Sequence, residues 1–245
     1  MKTRISLLLA AALLAAGSCT KRPVQPRFGI AATDTLVSRN GIACKIEYRF
    51  ASILNAGKSP ALTAIEQANI GYFFDLEAFS GTVREAVAAA IGQFADISLA
   101  DSLPTGSGNA EYEISAESEG AVVDPLVVYT ITQSSYTGGA HGMYSRENYV
   151  YSLDGGYEIT LVDLFTEAQL ESLGRLIRRK LYEQYDVRDD EGLVAAGFCP
   201  EYIAPTENFL VTPESIVFCY NPYEIGCYAL GSVEVEVTRE ELAGL

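Results

Sequence analysis

The chain has 245 residues, of which 49% are hydrophobic and 20% are charged, a composition typical of a globular protein rather than a disordered one. Its formal net charge is −15, which argues against nucleic-acid binding because that function needs a basic surface. An acidic surface favours a cationic partner, but it also serves solubility alone, and both explanations stay open.

Residues 1–18 have the pattern of an export signal. Lys2 and Arg4 precede an apolar run that is too short to span a bilayer comfortably, and small residues then lead into Cys19. The Ala-Gly-Ser-Cys ending resembles a bacterial lipobox, in which the cysteine becomes the acylated first residue of the mature chain. We therefore expect a lipid on Cys19, with an ordinary cleaved signal as the alternative.

The residues after Cys19 indicate whether the lipid-anchored protein faces the periplasm or the cell surface. Thr20, Lys21 and Arg22 follow it, whereas surface-displayed lipoproteins of the Bacteroidetes type usually carry acidic residues there. By that resemblance we expect a lipid-anchored protein of the bacterial cell envelope that faces the periplasm. Residues 19–35 are polar and contain two prolines, which predicts a tether.

The first half of the mature chain predicts strands and two helices. Period-two alternation over 42–50 predicts a strand, and apolar spacing over 61–74 predicts a helix. Thr82 and Glu85 form the pattern of a capping box at the start of a second helix. Further strands are expected at 111–117 and 126–134.

In the second half, Asp154-Gly155-Gly156 predicts a hairpin whose strands are 147–153 and 157–162. Thr166 and Gln169 predict the capped start of a long helix. Strands are expected at 215–220 and 233–237.

Mixed helices and strands without βαβ regularity predict an α+β fold with a mainly antiparallel sheet and about three helices. We expect four segments: a signal peptide (1–18), the tether (19–35), an N-terminal α+β subdomain (36–135) and a C-terminal α+β subdomain (136–245). No internal repeat or transmembrane helix is evident in the sequence.

Four cysteines remain after Cys19, and an oxidising compartment would let them form two disulfides. Cys44, Cys199, Cys219 and Cys227 allow three pairings, of which Cys219–Cys227 is the easiest to form across the Asn221-Pro222 turn. A single histidine and the lack of a Cys-x-x-Cys pair argue against zinc, so we expect no metal or cofactor.

The most unusual segment of the mature chain is Tyr136-Thr137-Gly138-Gly139-Ala140-His141-Gly142, which holds the one histidine. Together with the later Asn221-Pro222-Tyr223-Glu224-Ile225 run, it resembles a bacterial extracytoplasmic paired domain of unknown function. That module is similar to the extracellular part of the lysozyme-sensing anti-sigma factor and to the non-catalytic part of a peptidoglycan deacetylase.

The resemblance covers about residues 28–245 and implies an α+β fold with a β-grasp-like C-terminal half. It also implies a non-enzymatic envelope lipoprotein that binds a protein, such as a cationic lysozyme-like muramidase, or a peptidoglycan glycan. The chain lacks both a sigma-binding segment and a deacetylase domain. The candidate binding residues are Tyr136, Gly138, Gly139, His141, Tyr220 and Tyr223.

Two alternatives stay open. His141 could act as the general base of a cell-wall or glycan hydrolase, although a lone histidine in a glycine-rich turn more often fixes loop geometry through a backbone hydrogen bond. The protein could also be a structural accessory of the envelope without a small ligand.

Overall fold

The computed structural model describes residues 22–99 and 110–245, which fold into two compact units, Val24–Tyr157 and Glu158–Leu245. The predicted signal peptide, Cys19 and the start of the tether lie outside the described residues. No helix in the described ranges is long and apolar enough to cross a membrane.

The N-terminal unit is a five-stranded sheet with two helices, and its strand order follows the sequence. The β2–β3 pair is parallel and the other three pairs are antiparallel. Its elements are β1 (Phe28–Arg39), β2 (Ile42–Ile53), α1 (Pro60–Phe74), α2 (Val83–Ser98), β3 (Ala110–Val123), β4 (Leu126–Tyr136) and β5 (Met143–Ser152).

Helices α1 and α2 lie between β2 and β3 in the chain, where a parallel pair requires a crossover connection. They pack on one face of the sheet, here called the inner face. In its core Phe50 meets Phe73, Phe74 and Tyr129, with ring centroids 5.2, 5.6 and 6.2 Å apart. The predicted capping box of Thr82 and Glu85 is confirmed at the start of α2.

The parallel backbone pairing of β2 and β3 ends at Arg49 and Glu117. Beyond these residues, side-chain hydrogen bonds connect the two strands. The amide of Ala51 donates to Ser118 Oγ at 2.9 Å, and the Tyr129 hydroxyl donates to the Ala51 carbonyl at 2.9 Å. The Ser118 and Tyr129 oxygens are 2.7 Å apart. All of these groups are buried, so the network satisfies backbone polar atoms that the sheet leaves unpaired.

Strand β1 begins at Phe28, within the segment that the sequence indicated to be tether. It pairs with β2 along its whole length, through a turn at Asn40 and Gly41 with φ of 53° and 83°. Two consecutive positive φ values match the type I′ hairpin turn that an Asn-Gly pair favours.

The predicted second strand of the Asp154–Gly156 hairpin is wrong. Residues 161–164 form a short helix, α3, because the backbone amide and hydroxyl of Thr160 both donate to the Asp163 carboxylate, at 2.9 and 2.8 Å. These contacts also lower the pKa of Asp163. The first strand of the pair is present as β5.

The C-terminal unit has a three-stranded antiparallel sheet in the order β6-β7-β8, and α4 contacts β8. The predicted capping box at Thr166 is confirmed. Its elements are α3 (Leu161–Leu164), α4 (Glu167–Gln184), α5 (Asp190–Ala195), β6 (Phe209–Val211), β7 (Ser215–Tyr220), β8 (Val233–Thr238) and α6 (Arg239–Leu242).

The α+β class is confirmed, with three long helices and three short ones in the described parts of the chain. The boundary between the units follows Tyr157, whereas the sequence placed it after residue 135, because β5 completes the first sheet. No disulfide joins Cys44, Cys199, Cys219 and Cys227 in the described parts of the chain, so neither the expected disulfides nor the Cys219–Cys227 pair are formed. Burial raises the pKa of Cys44 to about 11.

The buried carboxylate of Glu66 connects α1 to the end of β2 by hydrogen bonds. Glu66 accepts hydrogen bonds from Ser52 Oγ at 2.6 Å and from the Ile53 amide at 2.7 Å. Burial nonetheless raises the pKa of Glu66 above its ordinary value of 4.5. Folding therefore favours the protonated form of Glu66 relative to the unfolded chain, and the stability that this contributes is lost as the pH rises through the raised pKa.

We expect Glu66→Gln to increase the free energy of unfolding at neutral pH, because the amide oxygen can accept from the Ile53 amide while the NH2 group donates to Ser52 Oγ, without a buried charge. This gain should vanish below about pH 4. Glu66→Ala, the control, should lose about 1–3 kcal/mol because Ser52 and Ile53 lose their acceptor. Urea unfolding at several pH values measures both, and an equal loss in the two variants at neutral pH would contradict the charge argument.

Candidate functional site

The N-terminal unit contains a cavity of about 500 Å³ on its inner face. Its floor is formed by the middle of β2, the first half of β3, the end of β4 and the start of β5, and its walls by the last turn of α1 and the second half of α2. The residues that line it include Tyr48, Phe73, Phe74, Asp75, Ala90, Gln93, Phe94, Ile97, Ile114, Ser115, Ala116, Gln133, Ser135, Met143, Tyr144 and Ser145.

The cavity exists because α1 ends early. Asp75 adopts a left-handed conformation with φ of 51°, and the amide of Leu76 turns back to the Gly71 carbonyl at 2.9 Å. Asp tolerates this conformation better than most residues, which suits Asp75 to the end of the helix. Beyond this point the sheet extends past the helix and its inner face is left partly uncovered.

At the same place, the side chains on the inner face of β4 change from apolar to polar. Along the inner face of β4, buried Val127, Tyr129 and Ile131 give way to Gln133 and Ser135. A continuous hydrophobic core would have apolar residues there. The switch from apolar to polar residues on one face of the strand therefore marks the floor of the cavity.

The described residues that line the cavity carry hydroxyl and amide groups but no lysine, arginine or histidine. The one carboxylate among them is Asp75, which is exposed at the rim. Gln133 Nε2 donates to the Phe73 carbonyl at 3.3 Å, which orients its amide. The interior of the cavity thus combines apolar side chains with polar groups that carry no charge.

Tyr48 is the most informative residue of the floor. It is only 8% exposed, and its ring packs edge-on against Phe73 and Phe74, with centroids 5.9 and 5.4 Å apart. Its hydroxyl has no hydrogen-bond partner among the described residues, unlike the hydroxyl of Tyr129 on the same face. Burial raises the pKa of Tyr48, so the group stays protonated and can donate.

The glycine-rich segment forms the loop between β4 and β5. Gly138 and Gly139 have φ of 93° and 95°, which explains their presence there. The Tyr136 hydroxyl donates to the Gly139 carbonyl at 3.2 Å, and His141 Nδ1 lies 2.8 Å from the Gly142 carbonyl. The His141 ring thus contacts the backbone of the next residue, and the His141→Ala substitution tests its effect on the loop.

This loop joins two strand ends that line the cavity, Ser135 on β4 and Met143 on β5. The predicted residues Tyr136, Gly138, Gly139 and His141 are exposed and stand beside the cavity rather than in its lining. The structure brings these four together in one loop.

Tyr220 and Tyr223 belong to the C-terminal unit. Tyr220 is 3% exposed, and its hydroxyl donates to the Ala204 carbonyl at 2.7 Å, so it contributes to that unit's core. Burial raises its pKa. Tyr223 is exposed, has φ of 75° and lies with its ring centroid 5.5 Å from that of Tyr228.

No single segment of the sequence indicates the cavity, because its lining is drawn from six separate elements. One local signal was available: the run Thr132-Gln133-Ser134-Ser135 continues a strand after a buried apolar stretch without a turn residue. Tyr48 carried no signal, because it occupies an apolar position in a regular alternation.

Residues 162–240 match the family model described as "Protein of unknown function (DUF3298)". A DUF3298 family member from Bacteroides fragilis is similar in structure, with a TM-score of 0.77 and 25% identity over 88% of this chain and 91% of that one. A DUF3298 family protein from Pseudomonas aeruginosa has the same fold, with a TM-score of 0.63 and 16% identity over 91% of this chain and 94% of that one. No curated protein matches the chain.

These comparisons support a domain of unknown function at residues 162–240 and the α+β fold of the whole described chain. The family model covers the C-terminal unit, whereas the cavity lies in the N-terminal one.

We expect His141→Ala to change the free energy of unfolding by less than about 0.5 kcal/mol, because the side chain is exposed. Gly142→Ala should cost more, since an added Cβ would lie 2.8 Å from the Ser135 carbonyl oxygen. Thermal unfolding of both variants tests this, and a large loss in His141→Ala would show that the histidine holds the loop in place.

Proposed function

We propose that this chain is a non-enzymatic lipoprotein of the bacterial cell envelope that binds its ligand in the cavity of the N-terminal unit. The cavity is the observation that carries the proposal: its volume falls in the range of small-ligand sites, and it combines aromatic walls with a few polar groups. The Tyr48 hydroxyl supports it, because Tyr48 lines the cavity and its hydroxyl has no protein partner among the described residues, so it is available to donate to a ligand.

The lipid on Cys19 and the periplasmic orientation are part of this proposal and rest on the lipobox-like sequence. Two kinds of ligand follow from the family resemblance: a wall glycan, and a cationic muramidase that presents a side chain or loop to the cavity. The net charge of −15 would speed the approach of the second.

The hydrolase alternative has weaker support. His141 is exposed on the β4–β5 loop, outside the cavity lining, and its Nδ1 contacts the neighbouring Gly142 carbonyl. A general base must reach the proton that it abstracts, and the loop contact does not by itself point to one.

A substitution that fills the cavity tests the proposed function. Ser145 lies half-buried on the inner face of β5, so Ser145→Phe should occupy the space without breaking a strand. Thr132→Phe is the matched control, because Thr132 is exposed on the other face of β4. Thermal unfolding of both variants would establish that they fold.

We expect the mature protein and Thr132→Phe to bind either isolated peptidoglycan or hen lysozyme, and Ser145→Phe to bind at least tenfold more weakly. Sedimentation with peptidoglycan and calorimetry with lysozyme, each at low and high salt, measure the two arms. Equal binding by a folded Ser145→Phe would refute a role for the cavity, and loss of lysozyme binding in salt alone would indicate surface attraction.

A further inference from the structure

The cavity interior selects against charged ligands. Its described lining contains no cationic side chain to pair with an anion, and its one carboxylate is exposed at the rim. Moving an unpaired ion out of water costs several kcal/mol, so a charged group would not enter the floor.

It also selects against a purely apolar ligand such as a lipid chain. Such a ligand would cover the Tyr48 hydroxyl, the Gln133 amide and the hydroxyls of Ser135 and Ser145 without offering them partners. Each buried polar group left without a partner costs about 1–3 kcal/mol. The groups of the floor therefore call for a ligand that both donates and accepts hydrogen bonds.

The walls of the cavity supply apolar contacts for the ligand, in addition to the polar groups of the floor. Phe73, Phe74 and Phe94 line the cavity, and Phe94 is only half-buried, so the walls include aromatic rings. Aromatic faces pack against the C–H surface of a ring-shaped ligand, while the polar groups fix its orientation. A molecule with an apolar face and a rim of uncharged hydroxyl and amide groups meets both conditions.

We propose that the cavity binds an uncharged sugar residue, with the Tyr48 hydroxyl donating to one of its oxygens. This inference rests on the proposed function and narrows it, since it takes the glycan rather than the cationic protein as the cavity's ligand. Gln133 and Ser145 lie on neighbouring strands of the same floor and supply further hydrogen bonds.

Three trisaccharide probes separate ligand charge from ligand shape. They are the N-acetylglucosamine trimer, which is neutral, its fully deacetylated form, which is cationic, and the galacturonate trimer, which is anionic. NMR titration of the mature protein would follow the amides of residues 133–135 and 143–145. We expect the neutral trimer to shift them and the charged trimers to bind at least tenfold more weakly.

Two tyrosine substitutions test the contact itself. Tyr48→Phe should weaken the neutral trimer about fivefold, the factor that one neutral hydrogen bond supplies, and should leave the melting temperature unchanged because the hydroxyl has no protein partner. Tyr129→Phe is the matched control: it removes a hydroxyl bonded to Ser118 and Ala51, so it should lower the melting temperature and leave affinity unchanged.

Several results would overturn the inference: a charged trimer that binds as tightly as the neutral one, a Tyr48→Phe variant with full affinity, or no trimer that shifts the cavity amides. The proposed function fails separately. If Ser145→Phe abolishes binding of lysozyme while no trimer binds, the cavity has a ligand of another class. If Ser145→Phe changes the binding of no ligand, the cavity is not a binding site.

Discussion

Strands β2 and β3 are neighbours that run in the same direction, and a hairpin cannot join such a pair. The chain must cross over one face of the sheet, and α1 and α2 make that crossing. Their placement decides which strand faces become core and which remain uncovered. The aromatic core around Phe50, the buried carboxylate of Glu66 and the cavity all lie on the face that the crossing covers.

The cavity thus forms because the strands extend further than the helix α1 that packs on them. The strands continue past the last turn of α1, which Asp75 ends by adopting a left-handed conformation. Where the helix covers β4, the inner face of this strand carries apolar residues, and where it does not, the strand carries Gln133 and Ser135. One residue that stops a helix therefore sets both the position of the cavity and the part of the sheet in which polar side chains are tolerated.

Local signals in the sequence predicted the long helices and most strands, because capping boxes and two-residue alternation act over a few neighbours. The tether prediction missed β1, although Asn40-Gly41 is a strong hairpin signal. The strand predicted at 157–162 failed because the Thr160–Asp163 contact outweighed a β-branched pattern. Apart from the polar run at the end of β4, the cavity could not be predicted, because Tyr48 and Ser145 are far apart in sequence and only the crossover and sheet order bring them to one floor.

The early start of β1 also limits the distance between the proposed lipid anchor and the folded N-terminal unit. With a lipid on Cys19, as proposed, the chain that leads to Phe28 can span at most about 30 Å, at ~3.3–3.6 Å per residue. The folded N-terminal unit would then be confined to a layer about as deep as its own diameter. Glycan strands close to the anchoring membrane would lie within its reach, and the more distant layers of the wall would not.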